Sequence, residues 1–109
     1  RLLMVSLHPG RIIRRRFLEP LNLSLTDVAK AMNVSVSSIS RIVNEKAEIS
    51  SDMALRLSYV LGIDPATWLN MQTAYNLQEA KKLFDDSGLK KLWQPEDEIE
   101  AEIRTSVSA

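Results

Sequence analysis

Apolar residues recur three and four positions apart in five successive stretches of this chain, the spacing of helices that each turn one face to a core. The first stretch begins at His8-Pro9-Gly10 and sets Ile12, Ile13, Phe17 and Leu18 inward. A first-turn proline loses no hydrogen bond there, and Pro20 is expected to end the helix. The second opens with Ser24-Leu25-Thr26-Asp27, a capping serine with an acid three residues on, and sends Val28, Ala29 and Met32 inward. Asn33 then suits an abrupt stop, because asparagine tolerates the left-handed backbone better than any residue except glycine. Ser35 caps the third stretch, whose apolar set is Ile39, Ile42 and Val43. Ser50 caps the fourth, Ser51–Leu61, which Gly62 closes. Asp64-Pro65 starts a fifth, running to about Leu83.

Beyond that point the pattern weakens. Asp85-Asp86-Ser87-Gly88 reads as a turn, Leu89–Trp93 as one further helical turn, and 96–104 as a short helix or a solvated acidic tail. No period-two alternation persists, the only candidate being Leu3–Leu7. The expected fold is therefore all-α, with an arm at 1–7, a five-helix domain at 8–83, and a short helical or flexible extension at 84–109.

Two serine-capped helices joined by Asn33-Val34 have the spacing of a helix-turn-helix. Ala29 fits the crossing, where a larger side chain would separate the two helices. Taken alone, the third helix resembles any amphipathic surface helix. The combination of Ala29, Asn33, Val34, Ile39 and Ile42 at these offsets makes it specific. In such a unit the second helix enters the major groove N-terminus first. Opposite the apolar residues lie Val36, Ser37, Ser40 and Arg41, the expected base-reading set. Arg41 matches guanine O6 and N7, Val36 a thymine methyl, and the serines are permissive. Ser24, Ser35, Asn44 and Lys46 are the expected phosphate contacts. Ser38 stands where a capping box would place an acid, so the helix start carries no carboxylate to repel phosphate.

Composition adjusts this reading in one respect. The net charge is zero, but residues 1–63 hold nine basic and five acidic residues, a net +4, whereas 64–109 hold five and nine, a net −4. A basic reading head with an acidic tail is the expected arrangement. The 109 residues allow one domain and a tail, and there is no cysteine for a disulfide or thiolate metal site. No apolar run reaches the roughly 20 residues of a membrane span. No signal peptide is recognisable, and Met4 is the expected native start. A cytoplasmic protein without metal, cofactor or catalytic machinery is expected. His8, the only histidine, reads as a helix-start residue.

On the fifth helix Trp68, Gln72 and Tyr75 follow one stripe, flanked by Leu69 and Met71. A small five-helix domain is not expected to bury every side of that helix. Trp68, Leu69, Gln72 and Tyr75 are therefore the expected homodimer interface, which would hold two heads on the half-sites of a palindromic operator.

The chain resembles the lambda-repressor-like (XRE) helix-turn-helix proteins, and among them the HigA/VapI-type antitoxins. The resemblance covers residues 8–83 and rests on His8-Pro9-Gly10, Phe17-Leu18-Glu19-Pro20-Leu21, Val34-Ser35, Ile39-Ser40-Arg41-Ile42 and Met53-Ala54-Leu55-Arg56-Leu57. Its most specific part is Pro65-Ala66-Thr67-Trp68-Leu69-Asn70-Met71-Gln72 with Tyr75-Asn76-Leu77. It implies a homodimer that binds double-stranded operator DNA, represses its own toxin–antitoxin operon and neutralises a small basic mRNA-cleaving ribonuclease. The alternative is a stand-alone repressor with no toxin. Two positions depart from the wider family. Leu25 replaces a frequent phosphate-binding glutamine, and Glu45 replaces a frequent glycine after the third helix, putting an acid near the DNA backbone.

Overall fold

The computed structural model describes residues 5–93 and 97–108. Among the described residues six helices and no strand make up the fold. Helix α1 is continuous from Pro9–Ile13 through a π-helical turn, Arg14–Leu18, to Glu19–Leu21. It is followed by α2 (Leu25–Met32), α3 (Val36–Val43), α4 (Ser51–Leu61), α5 (Pro65–Leu83) and α6 (Asp97–Ser108).

The expected capping serines and Asp64 act as caps. Ser24, Ser35 and Ser50 each accept a backbone N–H three residues on, at 3.0–3.1 Å, and Asp64 accepts that of Ala66 at 3.0 Å. At Ser24 the box is reciprocal, since its own N–H donates to Asp27 at 2.9 Å. That bond and the Ser24 hydroxyl hold the Asp27 carboxyl below its ordinary range.

Pro20 does not end α1. The helix runs one residue further and stops at Asn22, which is left-handed at φ 53°. The widened turn, in which the Glu19 N–H reaches Arg14, accommodates a ring that would collide with the carbonyl four residues back in a regular helix. Leu89–Trp93 is also not helical. Asp85–Gly88 does turn, with Ser87 N–H on Asp85 at 3.0 Å, and the acidic stretch forms α6. Val5–Leu7 forms no strand, and Arg1–Met4 lie outside the described residues.

Three helices end in the same way. At Asn22, Asn33 and Glu45 the backbone turns left-handed (φ 53°, 56° and 62°), and the next residue's N–H bonds back five residues. These bonds are Leu23 to Leu18, Val34 to Ala29 and Lys46 to Arg41, at 2.7–3.0 Å. The pattern satisfies carbonyls that a helix end leaves open. Asparagine takes this conformation easily, but glutamate does not, so Glu45 needs a compensating contact.

The core gathers one face of each of α1 to α5. Ile13, Ile39, Ala54, Leu57 and Trp68 have no exposed surface. Burial of each larger apolar side chain contributes about 1.5–3 kcal/mol. Ala29, 1 % exposed, lies in this core as the helix-turn-helix reading requires. Helix α1 lies on the end of α3. A Cβ on Gly10 would collide with the Ile42 carbonyl oxygen, so only glycine permits this approach.

Candidate nucleic-acid interface

Helix α3 buries Ile39, Ile42 and Val43 and leaves Val36, Ser37 and Arg41 exposed, with Ser40 half-buried beside them. The five-residue spacing from Val36 to Arg41 spans little more than one turn, so the expected readers share one side of one helix. Among the described residues no hydrogen bond or ion pair holds the Arg41 guanidinium. It is a free, planar, bidentate donor. At the helix start the Ser35 hydroxyl takes the Ser38 N–H at 3.1 Å and shares a hydrogen bond with the Ser38 hydroxyl at 2.8 Å. The cap is thus made by two neutral groups, and the positive end of the helix dipole stays uncompensated by carboxylate.

The expected phosphate contacts are all exposed, but they are not equally free. The Ser24 hydroxyl is the acceptor in its capping box, and Ser35 is bonded as above. Lys46 is exposed, beyond the left-handed turn. Asn44 is engaged within the protein. Its amide nitrogen donates to the Ser40 carbonyl at 2.9 Å and the Ser40 hydroxyl at 3.2 Å, and its oxygen accepts from Arg14 Nη2 at 3.1 Å. Beside it Glu45 binds Arg11, with a carboxylate–guanidinium separation of 3.2 Å. The acid that sequence reading set against the DNA backbone is therefore paired, and the pair offsets its left-handed conformation.

A helix-turn-helix family profile matches residues 15–68. Virulence-associated protein I of Dichelobacter nodosus is 48 % identical over 79 residues, covering 72 % of this chain and 73 % of that protein. Among solved structures, the antitoxin GraA superposes with a TM-score of 0.77 at 35 % identity, over 83 % of this chain and all of that one. The Pseudomonas aeruginosa antitoxin HigA, solved with the higBA promoter, gives 0.72 at 32 % identity, over 81 % and 99 %. The chain belongs to the HigA/VapI-type branch of the XRE helix-turn-helix family. It shares with these relatives the fold of a DNA-binding antitoxin.

Two features of this family member were misplaced or missed in sequence. Two of the four residues of the expected dimer stripe on α5, Trp68 and Gln72, are not on the surface. Trp68 is fully buried, 6.4 Å from the ring of Phe17, and Gln72 is 4 % exposed, whereas Leu69 and Tyr75 are half-buried. Gln72 accepts the Ile49 N–H at 3.0 Å and donates to Asn76 at 3.1 Å, and Asn76 donates to Glu48 at 3.1 Å. Tyr75 meets His8 edge to face at 5.1 Å. The loop after α3 and the start of α1 cover the stripe that periodicity alone left bare. The Trp68-to-Gln72 stretch therefore fastens that loop, and with it the end of the reading helix, to α5.

The second feature is a set of cross-helix polar contacts. Arg56 donates to the Met32 and Asn33 carbonyls at 2.8 and 3.3 Å, satisfying the end of α2. Its other contact is Asp52, at 2.7 Å. Gln78 pairs with both backbone groups of Ser6 at 2.8 and 3.0 Å and ties the arm to α5. His8 is buried, and its Nδ1 accepts the Gly10 N–H at 3.0 Å. Burial is the largest influence on the imidazole and lowers its pKa from the ordinary 6.5, against the opposing pull of Glu45. The spacing of Arg11 and Arg14 on one side of α1 was visible in sequence, but nothing there said that this side meets α3.

Proposed function

We propose that this chain is an operator-binding antitoxin that acts as a homodimer, represses its own toxin–antitoxin operon and neutralises a partner mRNA-cleaving ribonuclease. The observation that carries the DNA-binding part is the outward face of α3: Val36, Ser37, Ser40 and Arg41 together, a guanidinium with no partner among the described residues, and a cap made without acid. Relatives of the same fold have been solved with DNA: HigA with the higBA promoter, and GraA in complex with its operator. Readers on one short helix supply modest discrimination, about 1–3 kcal/mol for a good bidentate pair, which favours two heads on a palindrome.

A protein partner is supported by apolar surface elsewhere. Leu83, Phe84, Leu89, Leu92 and Trp93 are all more than 60 % exposed, along the end of α5 and the segment after it. Clustered exposed apolar residues of this kind mark interaction surfaces. With Trp68 and Gln72 in the core, the homodimer and toxin contacts are sought there. Among the described residues no helix is long and apolar enough to cross a membrane.

The test is a gel shift on a duplex taken from immediately upstream of the chain's own reading frame. A retarded band that unlabelled copies of that duplex remove, and a mixed-sequence duplex does not, is expected. No shift overturns the DNA-binding reading. Co-expression with the product of the adjacent reading frame is expected to yield a complex with reduced ribonuclease activity. Operator binding with full ribonuclease activity retained would leave the second reading, a stand-alone repressor.

A further inference from the structure

We infer that Arg14, on the first helix, binds a DNA phosphate at the rim of the major groove; this rests on the DNA-binding reading above. Val36, Ser40 and Asn44 are four residues apart and form one stripe along α3. The stripe begins with an expected base reader and ends at Asn44, about 12 Å further along the axis at 1.5 Å per residue. The major groove is only about 8.5 Å deep. A helix that enters N-terminus first therefore presents its far end to the phosphate wall rather than to the bases.

At that far end Asn44 holds Arg14. The asparagine amide is fixed by the Ser40 carbonyl and hydroxyl, and its oxygen accepts from Arg14 Nη2 at 3.1 Å. This chain sets the Arg14 guanidinium at the end of the reading stripe and leaves its remaining N–H groups open. Arg14 is exposed and, among the described residues, has no carboxylate partner. The nearest acid on the loop, Glu45, is bound to Arg11, so it does not neutralise Arg14. An exposed guanidinium held by a neutral amide retains its full charge and fork for an incoming phosphate oxygen. Asn44 is then a positioning residue, and Arg14 makes the contact that sequence reading gave to Asn44.

The experiment measures binding of the full chain, as wild type, Arg14→Gln, Arg14→Lys and Arg41→Ala, to two duplexes across a salt series. One duplex is the upstream region of its own reading frame, the other a mixed sequence of equal length. Arg14→Gln keeps an amide donor for Asn44 but removes the charge. It is expected to weaken binding to both duplexes by about tenfold. The slope of log affinity against log salt should flatten by about one for each copy of the chain on the DNA. Arg14→Lys should keep most of the slope, and Arg41→Ala should weaken only the upstream duplex. An unchanged affinity and slope in Arg14→Gln overturns the inference. So does a loss confined to the upstream duplex, which would make Arg14 a base reader. A lowered melting temperature with an unchanged slope would make its role structural. If the wild type binds neither duplex, the DNA-binding reading falls first and the inference with it.

Discussion

Helix α3 carries a polar stripe and α5 a polar and aromatic one, but α3 leaves its stripe in solvent and α5 buries the centre of its own. On α3 the apolar residues Ile39, Ile42 and Val43 fill the core, and among the described residues nothing packs over Val36, Ser37 and Arg41. On α5 the loop 46–50 and the start of α1 fold across the helix. Trp68 lies at the centre of the molecule, and Gln72 is bonded to the Ile49 backbone. The same periodicity thus has two outcomes, decided by which other segment arrives on the outer face. The two helices are also connected. Through Gln72, Asn76 and Glu48, helix α5 fixes the loop that carries Glu45, and Glu45 with Asn44 fixes the side of α1 that bears Arg11 and Arg14.

This contrast is broken most directly at Trp68. Trp68→Ala empties the centre of the core and is expected to lower stability by roughly 3–5 kcal/mol, measured by urea unfolding. If Trp68 belonged to a surface seam instead, the variant would keep monomer stability and lose only dimer. Its indole N–H has no acceptor among the described residues, so packing rather than hydrogen bonding holds it. Gln72→Leu, nearly equal in size, should cost about 1–3 kcal/mol, because it leaves the buried Ile49 N–H unpaired. A neutral result in the same unfolding assay would mean that the loop satisfies itself by another route.

On the exposed stripe the expectation is reversed. Arg41→Ala should leave the unfolding midpoint unchanged, since its side chain has no partner among the described residues. It should reduce discrimination for the operator by about 1–3 kcal/mol in competition gel shifts. A large stability change there, or intact discrimination, would remove the distinction between the two helices.

A smaller effect sharpens the picture at the junction. The His8 pKa in the folded protein is lowered by burial, and Nδ1 must be unprotonated to accept the Gly10 N–H. Above 6.5 the imidazole is neutral in both states and the contribution is complete. As pH falls below 6.5 the unfolded chain takes up the proton while the folded chain resists it, so stability declines. Urea midpoints on either side of that value should show the decline. His8→Asn, which keeps a capping acceptor without a titrating group, should remove it.

The starts and ends of the helices were legible in sequence because each is set locally. Ser24, Ser35, Ser50 and Asp64 accept nearby N–H groups, and Asn33 and Gly62 supply left-handed stops. Pro20 was an exception, because a π-turn that no local pattern announces lets the helix pass it, and the helical turn expected at Leu89–Trp93 does not form. The reading face of α3 was equally legible, since burying Ile39 and Ile42 leaves its opposite side outward. The support around that face was not. Arg11 with Glu45, Arg14 with Asn44, and Arg56 with the end of α2 join residues from 23 to 34 positions apart.

The sequence alone therefore determined an all-helical chain, a helix-turn-helix and a candidate set of DNA readers. These follow from periodicity and capping, which act within one or two turns. Only the tertiary structure decided which face of α5 is core, which arginines of α1 stand beside the reading helix, and how Glu45 is neutralised. Those outcomes depend on helices meeting at particular angles, as where Gly10 lets α1 reach the Ile42 carbonyl, and a linear pattern carries no record of such an approach.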